Sequence, residues 1–289
     1  MKIQILLPMF LLLSMTFAAG DLHAISPTVK AYQDYGLTMK KLREIRIMVE
    51  NFGDDALKQK FAELKKQFQD AGENYYGQNF IDSASKFKKL KMELISMLAT
   101  IDDIYLKRTK EILDSTSKES FDTLIEYSKT SGLASYFRRP YDPLKDIKPY
   151  DTDKYHLFHD REKIESYLRE GYKKYHTATK IYEDPEIAIM RDKKTLTRQN
   201  INFIIHNFTR VITLCREAKE AGIEIHRVRN INKLGESMIK YNVSHGNIIP
   251  IYDDRIPEQF KVDANDNMML IHSVEMRKLG KKRAGTGEG

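Results

Sequence analysis

The chain is predicted to be all-α, built of antiparallel helical hairpins packed as a bundle, and three observations carry that expectation. From Phe80 to Asp114 apolar residues recur at steps of three and four (Phe80, Ala84, Phe87, Leu94, Ile101, Ile112), with no Pro or Gly between them. That is the helical period, and the stretch makes a rod of roughly 52 Å. A second stripe, Leu57, Phe61, Leu64, Phe68, Ala71 and Tyr75, keeps the same period without a slip. Gly and Pro number only 14 and 8 in 289 residues and cluster at a few places, as punctuation between long helices does.

The elements follow in order. MKIQILLPMFLLLSMTFAAG reads as a secretory signal peptide over residues 1–20: Lys2 gives the positive end, Ile3 to Phe17 the apolar run, and Ala18-Ala19-Gly20 the small-residue cleavage site. Cleavage after Ala24 fits the same pattern, and the run, which contains Pro8, is short for a spanning helix. Residues 25–137 form the N-terminal helical bundle. Ser26-Pro27 caps its first helix, whose stripe runs from Val29 to Val49; Asp54 restarts the chain, and Tyr75 to Asn79 turn it into the Phe80 rod. Ser115 to Ser120 reads as a polar break before a shorter helix carrying Phe121, Leu124 and Ile125.

Three prolines between Arg138 and Asp153 exclude a continuous helix, so residues 138–158 are the expected Pro- and Tyr-rich connection between two halves. Residues 159–243 are the C-terminal helical domain. Asp160 caps its first helix, Asp184-Pro185-Glu186 starts the next, and the polar patch from Asp192 to Asn200 divides that one. Gly222 reads as the terminator of the Ile201–Ala218 stripe. Residues 244–289 are expected to be an extended apolar segment, Ile248 to Tyr252, followed by a disordered basic tail.

Charge and chemistry narrow the function. The net charge of +7 comes from well-mixed signs, as solvated helix faces require, and an exported chain has no nucleic-acid partner to meet. One cysteine, Cys215, excludes an internal disulfide, and its place on an apolar stripe marks it as buried and inert. His156, His159 and Asp160 are the nearest approach to a metal cluster, but Asp160 is already a cap and no third strong ligand is close in sequence. Asp263 to Asn267 imitates the opening of a calcium loop, yet Met268 replaces the required Gly and Val274 holds the twelfth position. No metal or cofactor is therefore expected, and no carboxylate stands in a context that singles it out for a raised pKa.

Phe68, Gly72, Tyr75 and Ala84 keep the spacing of four positions in the roughly 34-residue tetratricopeptide consensus, with Phe87 one residue from its large apolar position. A looser echo follows at Tyr167, Gly171, Ala178 and Tyr182. These stretches, about a quarter of the chain, resemble degenerate tetratricopeptide repeats; Ala71 stands where the consensus has Leu, and Lys88 where it has an aromatic residue. With its export signal and its Lys- and Tyr-rich, Trp-free composition, the chain also resembles the periplasmic tetratricopeptide-like proteins of spirochaetes, some of which form a collar around the flagellar motor. The resemblance implies protein–protein assembly and no catalytic residues.

The expected function is a non-enzymatic assembly scaffold in the periplasm or cell envelope. Its partners would be other envelope proteins or further copies of itself, with membrane contact at most peripheral. The residues expected at the contact are Tyr136, Phe137, Arg138, Arg139 and Tyr141, where aromatics and Arg concentrate, and then Tyr75 and Tyr76. The alternatives are a cleft-type helical hydrolase acting on a cell-wall polymer and a peripheral membrane-surface binding protein.

Overall fold

The computed structural model describes residues 26–128, 161–191, 193, 195–230 and 233–285, and every regular element among them is helical. The five principal helices are α1 (Pro27–Phe52), α2 (Asp55–Tyr76), α3 (Phe80–Ser128), α4 (Arg161–Tyr182) and α6 (Arg198–Arg229), with the short α5 (Pro185–Arg191) between the last two. Then come α7 (Lys233–Tyr241), two single 3₁₀ turns, α8 (Lys261–Asn267) and α9 (His272–Gly285). The starts obey local chemistry. Ser26 Oγ accepts from the Val29 amide at 3.3 Å ahead of Pro27, and Asp54 Oδ1 accepts from the Leu57 amide at 2.8 Å. Asp184 does the same for Glu186 at the head of α5.

The long helix α3 is the spine. At 49 residues it spans about 73 Å, and helices lie on both sides of it. Lys91 on α3 meets Asp34 on α1 and Asn202 on α6, while further along Phe52 meets Tyr105 and Thr109 meets the Cys215 carbonyl. Hence α1, α3 and α6 run in the same direction. The pairs Lys60–Ser96 and Gln67–Glu93 run α2 antiparallel to it, and Tyr172–Asp114 with Tyr182–Asp103 do the same for α4. One hydrophobic core runs through all five, from Leu42 and Leu64 through Leu94, Leu98 and Ile101 to Ile204, Phe208 and Cys215. Residues on both sides of the connecting segment therefore share a core; the segment itself, 138–158, lies outside the described residues.

Three local expectations give way to packing. Ser115 to Ser120 does not break the rod, because Thr116 and Ser120 lie on its buried seam. The Thr116 hydroxyl is satisfied on its own helix, donating to the carbonyls of Ile112 (2.8 Å) and Leu113 (3.0 Å). Nor does Gly222 end a helix: α6 continues seven residues to Arg229, and Gly222 is a close-crossing point. A Cβ there would sit 2.6 Å from Ile112 Cγ2, and one on Gly171 of α4 would sit 2.7 Å from Leu113 Cδ2. The first tetratricopeptide-like echo straddles the α2–α3 turn, whereas the second lies within α4 alone.

The third difference is the C-terminus, which turns back onto the bundle instead of trailing away. Helix α1 stops at Phe52 beside Tyr105, but α3 and α6 run on, leaving a ledge. Residues 245–285, here called the strap, fill it. Ile256, Phe260 and Ala264 pack on Ile112 and Ile223, while Ile251, Tyr252 and Leu279 join Tyr241 in a smaller cluster. The Asn51 side chain, at the end of α1, accepts from the His272 amide (2.8 Å) and donates to the Leu270 carbonyl (2.9 Å).

The crossing yields a paired prediction. Gly222→Ala should lower stability by about 1–3 kcal/mol through overpacking against Ile112. Gly36→Ala, in the middle of α1 with open space around it, should raise stability by about 0.5–1 kcal/mol through helix propensity alone. Thermal or urea unfolding of the two variants reads both signs.

Candidate contact surface

Of the residues expected at a contact, Tyr136, Phe137, Arg138, Arg139 and Tyr141 lie outside the described residues. Tyr75 and Tyr76 are placed at the tip of the α2–α3 hairpin. The tip is fixed: Gln78 turns the chain with φ 62°, and buried Ser83 donates to the Ala71 carbonyl at 3.0 Å. Around it six rings pack on one another. Tyr35 of α1 stacks on Tyr75 at 5.3 Å between centroids and touches Phe68 and Phe87; Tyr75 meets Phe80 edge-on. Tyr76 closes the cluster. Its ring stands edge-on to Tyr35 and Tyr75, its hydroxyl lies 3.0 Å from that of Tyr35, and it remains 71 % exposed. These contacts favour one orientation of an exposed ring, and a side chain ordered in advance gives up less entropy on meeting a partner.

The more elaborate polar chemistry is inside, where the sequence reading placed only apolar residues. Lys91 and Asp34 form an ion pair at 2.7 Å within the bundle, joined by Arg198 from the head of α6. Burial pushes the Lys91 ammonium below its usual range, against the pull of Asp34. At the ledge, Asp263 takes a bidentate grip from Arg108 (3.0 and 2.5 Å) and a bond from Lys219 (3.0 Å). Asp266 accepts from Tyr105 Oη (2.6 Å) and Arg216 Nε (3.0 Å), with Lys219 Nζ at 3.6 Å. Lys219 also lies over the rings of Tyr105 (4.3 Å) and Phe52 (4.9 Å). Lys219, Asp263 and Asp266 are all fully buried. Burial alone would raise the Asp266 carboxyl, but the two cations beside it hold it below the ordinary carboxylate range. The pseudo-calcium run Asp263–Asn267 is thus a helix whose acids face protein cations.

Asp102 was also missed. It sits on the α3 seam between Leu98 and Tyr105, with no access to solvent and neither oxygen hydrogen-bonded among the described residues. Burial, aided by Asp103, lifts its carboxyl well above the ordinary range. The only signal was its spacing, four residues after Leu98 and three before Tyr105. A cell-wall hydrolase needs such an acid on the wall of a cleft; this one faces the core. The nearby hollow of about 520 Å³, over Met92, Ile95 and Leu196, is edged by Asp103, Tyr182 and Arg191 instead. Cys215 is fully buried and its thiol is pushed up by burial to about 12, so it is no nucleophile. Among the described residues no group of three or more His, Cys, Asp or Glu is placed to hold a metal ion, and no helix is long and apolar enough to cross a membrane. His156, His159 and Asp160 lie outside those residues.

Two substitutions test these interior groups. Asp263→Ala leaves buried Lys219 and part-buried Arg108 short of a carboxylate and should cost about 3–5 kcal/mol, read by chemical denaturation. Asp102→Asn should act oppositely. Because the fold favours the protonated acid, Asp102 weakens the protein increasingly as pH rises from the ordinary carboxylate value of 3.8 towards its own raised one. The variant's melting temperature should exceed the wild type's at neutral pH, with the gain shrinking as pH approaches 4.

Compared with known proteins, the chain matches no family model, no curated protein and no solved structure.

Proposed function

We propose that the protein is a non-enzymatic scaffold for protein–protein assembly in the cell envelope, and that the α2–α3 tip is one of its contact points. One observation carries the reading: Tyr76, exposed by 71 %, is backed by the rings of Tyr35 and Tyr75 and by the Tyr35 hydroxyl. The rest of the fold supports the same role. A continuous core around a spine of about 73 Å makes a stiff body, which holds contact points at fixed separations. The buried acids of the ledge are engaged by cations, an arrangement that fixes helices rather than performs acid–base chemistry. Export to the periplasm rests on the leader-like run Lys2 to Gly20. Membership of a spirochaetal flagellar collar is the most specific form of the proposal, and it rests on resemblance alone.

A photo-crosslinking residue placed at Tyr76 in the native cell should trap another envelope protein or a second copy of the chain. The same probe at Lys58, exposed in the first turn of α2, should trap neither. Identical adducts at both sites, or monomer at both, would refute the contact. Location is read separately, by envelope fractionation and by a mature N-terminus beginning after Gly20 or Ala24.

A further inference from the structure

We infer that the strap, residues 245–285, is an acid-released element: His226 and His272 dock it in their neutral forms, and protonating them frees it from the α3–α6 ledge while the bundle stays folded.

His226 lies in the strap's contact with the bundle, and the His272 ring joins two helices of the strap, α8 and α9, beside the bond its backbone amide makes to Asn51. His226, on α6, has no access to solvent, and its ring faces Phe260 of the strap at 5.4 Å between centroids. Neither ring nitrogen has a hydrogen-bond partner among the described residues. On α3, Glu119 Oε2 stands 3.9 Å from Nδ1, beyond hydrogen-bonding reach, and is already engaged by Arg229. The buried hydroxyl of Ser120, next along α3, is likewise unpartnered. A proton on His226 would thus put a cation into a site whose one nearby carboxylate is shared with an arginine. In the strap beside Phe260, Lys261 pairs with Glu258 at 3.0 Å and lies 3.6 Å from Asp254, so both acids are directed at that ammonium rather than at His226.

His272 opens α9, at a helix end where positive charge is disfavoured. Its Nδ1 lies 2.9 Å from Asn265 Nδ2, in a contact whose polarity follows the ring's tautomer, and its backbone amide donates to Asn51. With Nδ2 facing the ring as it does here, a protonated imidazole would set two donors against each other at this contact. Burial holds this imidazole below its ordinary value, with Lys261 adding to the effect and Glu258 opposing it.

Burial lowers His226 from 6.5 to about 4. The sign follows: strap docking is undiminished above the ordinary histidine value and weakens as pH falls from 6.5 towards 4, because the released histidine takes up the proton first. Between about pH 7 and pH 5, His226 alone shifts the balance towards release by about twentyfold, if release restores its ordinary value. Two of the strap's buried carboxylates do not join in. Asp266 and Asp253 are held below the ordinary range by their cations despite burial, so they keep their charge in this window. Asp102 works the other way, since acid favours the form the core already holds. Acid therefore loosens the strap without loosening the spine.

Hydrogen exchange of the full chain at about pH 7 and pH 5, corrected for intrinsic exchange, separates the two regions. Protection of peptides within 256–275 should fall about twentyfold or more, while peptides within 90–105 hold theirs. The double variant His226→Phe/His272→Gln should keep the strap protected at both values; His226→Gln replaces the first substitution if Phe does not fold. Constant strap protection in the wild type, loss in step with 90–105, or an undiminished loss in the double variant would each overturn the inference.

Discussion

The arrangement on which the ledge depends is the buried contact of Lys219 with Asp263 and Asp266. Taking an ammonium and two carboxylates out of water costs several kcal/mol per ion, and only close, well-directed partners offset it. Here those partners come from three separate places: Arg108 and Tyr105 on α3, Arg216 and Lys219 on α6, and the two acids on α8. Sliding α6 along α3 by one turn would strand a charge, so the network admits one register. Apolar packing alone would tolerate several, since leucines and isoleucines are interchangeable at this resolution of shape. The ion cluster therefore acts less as a source of stability than as a specification of alignment. The Lys91–Asp34–Arg198 group performs the same service at the other end of the shared core.

This also explains which parts of the fold were legible in the sequence. Helices with an unbroken apolar stripe, such as Leu57 to Tyr75, announce themselves because their pattern is local. Caps at Ser26, Asp54 and Asp184 are legible for the same reason. Illegible were the polar residues that belong to the stripe. Thr116 and Ser120 looked like a break, Gly222 like a stop and Asp263–Asn267 like a failed calcium loop, because each is explained only by contacts distant in the chain or hidden in the seam. Lys91 is satisfied by Asn202, which is 111 residues away, and no local rule anticipates that. The aromatic tip was half legible: a Tyr pair before a turn could be marked as a candidate, but the stack of Tyr35 behind it required the fold.

Inside and outside are thus divided in kind. The interior spends its charged groups on mutual alignment, while at the α2–α3 tip the rings hold one another and leave a single face to solvent. A stiff body with alignment fixed within and an anchored aromatic without is physically suited to joining other molecules at set distances. The strap differs from the rest of the molecule. Its small apolar cluster sets Ile256, Phe260 and Ala264 on Ile112 and Ile223 of the bundle, and the rest of its attachment leans on polar contacts from Arg108, Arg216, Lys219 and Asn51. Polar attachment of a thin layer to a thick core gives two regions with different sensitivities to solution conditions.

The direction shared by α1, α3 and α6 has one more consequence. Arg198 must find Asp34 across 164 residues, and the His272 amide must find Asn51 across 221, so the nucleus of the bundle cannot be finished by a partial chain. Such non-local pairing folds slowly, because long loops must close before their contacts are gained. A polypeptide of this topology completes its bundle only when almost all of it has been made, so the last residues delivered decide when the first are finally held.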